Sequence, residues 1–430
     1  MEMLQSVSVL IRILTVFCMI LFLNRMRVRL DLALFAGAVL LGLWMKLGPL
    51  GIVESLSKTM TQTQTITLIL IVGIILIISR VMQETGHLVR IVKRFGGLSV
   101  DPRIGGSVLP AVIGLLPMPG GALFSAPMVD SAFQKCPVTG ESKTAVNYWF
   151  RHIWEFWWPL YPGVVLAVAL LEVETWQFMA VMIPMTAVST VAGVIFILRP
   201  ARFAQPLSQA LSRGAFRKFL WETMPILMVV VVIVAIAALG SLLNLAGFDL
   251  RIQGGLSILP GLLASLIWVC SINHVPMKQL GRYLLDQDLW RMLMLLLSIL
   301  VFKGIMTESQ AVLGIRDEMM GSGIPVVLVI LLMPFFSGFV TGIAVGFVGT
   351  AFPLVIPLFP QADLVGYLSW GALAYTFGCM GMMLSPVHLC FLVSRDYFKA
   401  RFLDSYRYLL LPVFSVLMAA AIIFLIPQAV

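Results

Sequence analysis

The segment "LLPMPGGALFSAPMVD" (Leu115–Asp130) decides how this chain is read. It is apolar enough for a membrane interior, yet Pro117, Pro119, Pro127, Gly120 and Gly121 stand where a helix would have to run. Non-helical backbone in lipid leaves N–H and C=O groups unpaired, and survives only where protein covers it or where it lines a polar cavity. The segment is therefore either a kinked helix or a buried hairpin tip, and the surrounding sequence has to choose.

The 430 residues are 60% hydrophobic and 11% charged. Soluble domains carry roughly a quarter charged residues, and here apolar runs of about 17–25 residues recur from end to end. The expected class is an all-α polytopic membrane protein with no room for a sizeable soluble domain. The net charge of +9 comes from Lys and Arg in short loops between apolar runs. That is the signature of cytoplasmic loops, so no nucleic-acid partner is expected. Cys18, Cys136, Cys270, Cys379 and Cys390 are scattered without a C-x-x-C pair, so spacing suggests neither a disulfide framework nor a metal site. The run Val7–Leu23 has Glu2 before it, Arg12 inside it and no small-residue cleavage site. It reads as a span, not a signal peptide.

Candidate spans are 5–23, 30–46, 64–80, 144–171, 176–198, 222–245, 255–272, 287–303, 365–393 and 408–427, about ten in all. Regions 104–134 and 324–360 are apolar but rich in Gly and Pro. With Arg25, Arg27 and Arg29 inside, the N-terminus is external and Arg80, Arg90, Lys93, Arg94 and Arg103 are cytoplasmic. A single crossing by 104–134 would then put Arg199, Arg202, Arg213, Arg217 and Lys218 outside, against the positive-inside rule. A return keeps 199–221 as a basic cytoplasmic linker and places both termini outside. About 30 helical residues reach ~45 Å, short of two ~30 Å crossings. Region 104–134 is thus expected to be a re-entrant hairpin from the cytoplasm, and 324–360 one from outside.

Shifting the sequence on itself by 224 residues sets "VMQET" (81–85) on "IMTES" (305–309), Gly97 on Gly321, Pro110 on Pro334 and Gly114 on Gly338. The same shift lays spans one to three on spans six to eight and hairpin on hairpin; a slip of about three residues aligns 144–171 with 365–393. Residues 1–198 and 222–430 then form two repeats of five crossings plus a hairpin. Five is odd, so the repeats have inverted topology, the pattern of a secondary transporter with its site at the repeat interface. The connectors Val81–Phe95 and Glu308–Met320 correspond as interfacial helices.

This arrangement is similar to the ion transporter superfamily, which includes divalent anion/sodium symporters, citrate and gluconate permeases and arsenite pumps. Within it, "LLPMPGGALFSAPMVD" and "GMMLSPVHLCFLVSRDYF" (381–398) resemble a prokaryotic branch known as a domain of unknown function. The resemblance spans essentially the whole chain. It implies a homodimer in the cytoplasmic membrane, each protomer with a scaffold and an elevator-like mobile part made of the hairpins and the two broken helices. The Ser-Asn-Thr triplets of the dicarboxylate members are missing, which leaves the coupling ion, Na+ or H+, open.

Candidate substrate-binding residues at the first tip are Pro119, Gly120, Gly121 and Ser125; at the second they are Thr341, Gly342, Gly346 and Thr350. Helix N-termini attract anions, and glycines let a ligand approach the backbone. In "NYWFRHIWEFWWPLYPG" (Asn147–Gly163), Asn147 and Arg151 join this set. Arg151 and Glu155 stand at i, i+4, with Pro159 and Pro162 breaking the helix. Arg151 either neutralises an anion, with Glu155 or His152 handling a proton, or pairs permanently with Glu155 or snorkels. In "GCMGMMLSPVHLC" (Gly378–Cys390), Ser385 marks a break, and His388 is a proton group or a structural histidine. No metal ligand, cofactor or catalytic motif is expected, so the chain reads as a transporter and not an enzyme. The function expected is proton- or sodium-coupled transport of a small organic anion; the alternative is a cation/proton antiporter without organic substrate.

Overall fold

The computed structural model describes residues 8–96, 101–118, 121–134, 136–199, 213–246, 254–311, 318, 325–360 and 362–425. Among these the secondary structure is helical throughout, with no strand. The chain begins with α1 (Val9–Arg25), α2 (Leu30–Trp44), α3 (Gly48–Thr61), α4 (Thr63–Glu84) and the short α5 (His87–Gly96). Then come α6 (Pro102–Gly114), α7 (Ala122–Ala132), α8 (Gly140–Arg151), α9 (Pro162–Leu171) and α10 (Thr175–Gly193). The second half holds α11 (Arg213–Leu245), α12 (Leu259–Ile272), α13 (Met277–Tyr283), α14 (Gln287–Glu308), α15 (Val326–Thr341) and α16 (Ala344–Val355). It ends with α17 (Leu364–Met383), α18 (Leu389–Tyr397) and α19 (Phe402–Ala420).

Among the described residues, five helices are long and apolar enough to cross a membrane: Thr63–Glu84, Thr175–Leu198, Arg217–Asn244, Gln287–Glu308 and Phe402–Leu425. Shorter apolar helices, such as Leu30–Trp44 and Leu259–Ile272, accompany them. The molecule is accordingly a multi-pass membrane protein. In the two Gly/Pro-rich regions, α6 packs on α7 and α15 on α16. With 13 and 11 residues, α6 and α7 are each far short of ~30 Å at 1.5 Å per residue.

Helix boundaries recur at a fixed interval. The starts of α4 and α14 (Thr63, Gln287), α6 and α15 (Pro102, Val326), and α8 and α17 (Gly140, Leu364) each differ by 224. The starts of α9 and α18 (Pro162, Leu389) and of α10 and α19 (Thr175, Phe402) differ by 227. The three-residue slip therefore enters inside the broken span, not before it. Even the π-turns that extend α10 and α19, Val194–Leu198 and Ala421–Leu425, keep the interval. So do left-handed residues: Gly86 and Gln310 lie 224 apart, Glu172 and Lys399 227 apart.

The helices pack in two groups. One joins α2, α3 and α4 to α14, α1 to α2, and α12 to α4 and α11. The other holds α6–α10 with α15–α19, in which α7 meets α18 and α9 meets α16. Helix α5 touches both groups, through α11 and α6, and the groups also meet directly, α4 on α9, α1 on α15 and α14 on α16. The remaining residues of the second connector lie outside the described set, apart from its start and Glu318.

Charges placed within these spans have local reasons. Arg12, only 9% exposed, sends Nη1 to the Trp44 carbonyl at 3.2 Å, at the C-terminal end of α2 where free carbonyls favour a cation. At the other end of α1, the amides of Val9 and Leu10 donate to the two oxygens of Glu318, each at 2.8 Å. Burial disfavours the charged carboxylate, but those two amides, with the Ser8 hydroxyl and the Arg12 charge, together outweigh it and hold Glu318 below the usual range. A depressed folded value stabilises above the unfolded value, about 4.3, and that contribution fades as pH falls through the folded one. Glu318→Gln should thus cost about 1 kcal/mol at pH 7, with the difference in thermal midpoint from wild type shrinking below pH 4. An equal difference at both pH values would exclude a charged cap.

Candidate functional site

The site is built around two interrupted helices. Helix α8 stops at Arg151, ten residues of turn follow, and α9 resumes at Pro162. The break thus opens seven residues before Pro159, which corrects the expectation that the prolines start it. The i, i+4 pairing of Arg151 with Glu155 goes with it: Glu155 lies in the turn, its amide on the His152 carbonyl, and its Oε1 is 3.9 Å from His152 Nε2. The second break, between α17 and α18, falls at Ser385 and Pro386.

What holds the first break open is a set of side-chain donors on the broken segment itself. A helix end leaves its last carbonyls unpaired. At the end of α6, Trp154 Nε1 donates to the Ala111 carbonyl and Trp158 Nε1 to that of Leu115, both at 2.9 Å. The Tyr161 hydroxyl donates to the Gly114 carbonyl, and Arg151 Nη2 to that of Met118 at 3.2 Å. These aromatic residues fasten the first hairpin to the broken span. The two breaks also tie each other: Tyr148 donates to the Met383 carbonyl at 3.1 Å, and Tyr375 to that of Glu155 at 3.0 Å. Tyr148 and Tyr375 stand 227 residues apart, the interval of α9/α18 and α10/α19, although the starts of their own helices differ by 224.

Arg151 is the unusual group. It is 3% exposed, and its Nε and Nη1 have no hydrogen-bond partner. No carboxylate among the described residues lies within salt-bridge distance of it, so the permanent pair with Glu155 is not formed. Its guanidinium lies against the first tip: a Cβ on Gly121 would sit 2.2 Å from Nη2. A side chain at this position would push the Arg151 guanidinium away from the tip. Pro119 and Gly120 lie outside the described residues.

The other expected residues divide. Asn147, fully buried, donates to the Ala122 carbonyl at the start of α7 (3.1 Å) and to Ser394 of α18 (2.8 Å), leaving its Oδ1 unpartnered. Ser125 is buried and turned back onto its own helix, toward the Ala122 carbonyl. At the second tip, Gly342 has a φ of +65°, and a Cβ there would meet Ser385 Oγ at 2.9 Å. Gly342, Ser385 and His388 are therefore brought together. Thr341, Gly346 and Thr350 are not: Thr341 bonds the Ser337 carbonyl, while Thr350 bonds Ser337 and the Gly346 carbonyl within the hairpin. His388 meets His152, Nε2 to Nε2, at 3.1 Å, joining the two breaks.

A family profile described as "Protein of unknown function (DUF401)" matches residues 6–426. The chain belongs to this family. No curated protein matches it. The DUF401 match covers both hairpin regions and both breaks, so the arrangement above lies wholly within the family's span.

Proposed function

We propose that this DUF401 protein is a secondary active transporter that carries a small organic anion across the cytoplasmic membrane, coupled to H+ or Na+. The reading has about ten spans and two re-entrant hairpins in inverted repeats of residues 1–198 and 222–430, with external termini and a homodimeric assembly. Support for the repeats comes from the 224- and 227-residue recurrence of helix boundaries, π-turns and left-handed residues. Support for elevator motion comes from the two packing groups, with α5 touching both as an arm would.

One observation carries the substrate class: a buried guanidinium with two unpartnered N–H positions beside a hairpin tip. Burying an unpaired charge costs several kcal/mol, and an intramembrane cation without an acid partner is best explained by a partner that comes and goes. A carboxylate or similar anion supplies it, with bidentate geometry available to Arg151. Coupling falls to the second break, where Ser385 and unwound carbonyls suit Na+, or to His152, Glu155 and His388 for H+.

The test is uptake of labelled organic acids into proteoliposomes with and without an inward proton or sodium gradient. Substrates are chosen first by their shift of the melting temperature of purified protein. Gradient-driven accumulation of at least one acid is the expected result. Counterflow of H+ and Na+ with no acid taken up would replace this reading with that of an antiporter.

A further inference from the structure

Where the two breaks meet, four metal-competent donors converge. His152 Nε2 and His388 Nε2 are 3.1 Å apart, and with the Cys390 sulfur all three donor atoms lie within 4.8 Å of one another. Glu155 adds Oε1 at 3.9 Å from His152 Nε2, while its Oε2 has no partner. His152 and His388 are 5% and 6% exposed.

His152 Nδ1 lies 2.6 Å from the Tyr148 carbonyl. A carbonyl only accepts, so the proton sits on Nδ1 and Nε2 turns its lone pair into the cluster. An imidazole fixed through its other nitrogen by a backbone carbonyl is the arrangement that orients metal-ligating histidines. Two imidazole nitrogens on one tetrahedral ion, each at ~2.05 Å, stand about 3.3 Å apart, close to the separation here. Two nitrogens, a sulfur and a carboxylate oxygen suit a borderline transition metal and not Mg2+ or Ca2+, which take oxygen shells. A thiolate and a carboxylate also balance a divalent charge, which matters in a buried site.

We propose that His152, Glu155, His388 and Cys390 form a zinc-class transition-metal site that pins both helix breaks to one ion. The inference stands apart from the transport reading and meets it at one point. A bound ion occupies the lone pairs that proton coupling through His152, Glu155 and His388 would use, which leaves coupling to Na+ at the second break.

Purified full-length protein in detergent is equilibrated with Zn2+ or Co2+ alone, dialysed, and its metal counted. The wild-type chain should retain about one ion, and the cobalt form should show a thiolate-to-metal charge-transfer band. Cys390→Ser should lose that band. Cys390→Ser and His388→Gln should each weaken binding by more than the roughly 10–100-fold typical of losing an outer-shell partner. Cys18→Ser, at an exposed thiol, should change neither readout. Wild-type protein that retains no cobalt, or binding unchanged in both ligand variants, would overturn the site. The wild-type spectrum decides the question even where a variant fails to fold.

Discussion

Arg151→Met is expected to abolish anion transport while leaving the protein as stable as wild type or more so. The two effects separate because the guanidinium is buried without a carboxylate partner. Replacing a buried ion that lacks full compensation by an apolar side chain of similar length is commonly neutral or stabilising by about 1–4 kcal/mol. Against that stands the loss of one hydrogen bond to the Met118 carbonyl, about 1 kcal/mol. Uptake should fall at least about 100-fold, since loss of one charge-assisted partner to a desolvated anion costs on the order of 3 kcal/mol. Thermal unfolding in detergent and proteoliposome uptake, run on the same preparation, check both halves. A midpoint lowered by the equivalent of several kcal/mol, whatever the uptake, would make Arg151 a structural group.

Gly381→Ala should be the most destabilising of the simple glycine substitutions. A Cβ there would sit 1.9 Å from the Phe335 carbonyl oxygen, and on Gly338, directly opposite, 2.2 Å from the Gly378 oxygen. Both obstacles are backbone, so no rotamer change relieves them and α15 must back away from α17. Small residues at such crossings are what let membrane helices approach closely. Overpacking of this kind costs about 3 kcal/mol or more, enough to lower expression and melting temperature sharply. Gly73→Ala is the control: nothing lies within 4 Å of the place its Cβ would take, and helix propensity favours Ala by about 1 kcal/mol. Equal melting temperatures for Gly381→Ala and Gly73→Ala would refute the close crossing.

Much of the architecture was legible because Pro and Gly act locally. The Gly/Pro-rich regions contain short helix pairs, and Ser385–Pro386 marks a helix end, since proline removes a donor and disfavours helix in the residue before it. The first break was misplaced for the opposite reason. It is set by Trp154, Trp158 and Tyr161 reaching the end of α6, about forty residues earlier in the chain. Nothing in the spacing of those aromatics distinguishes a donor to a distant carbonyl from a packing residue. Once the helix ends at Arg151, Glu155 turns away, and the alternative of a permanent ion pair falls with it. The His152–His388 contact joins residues 236 positions apart, and Cys390 gave no signal without a neighbouring cysteine.

Those two tyrosines have a consequence for how the polypeptide can be divided. The hydroxyl that closes each interruption is supplied from the opposite half of the chain. A fragment ending near residue 200 would keep Tyr148 but leave its own Glu155 carbonyl bare, and the complementary fragment would lack a fastener for Met383. Neither piece is self-sufficient; the clasp closes only when both are present together.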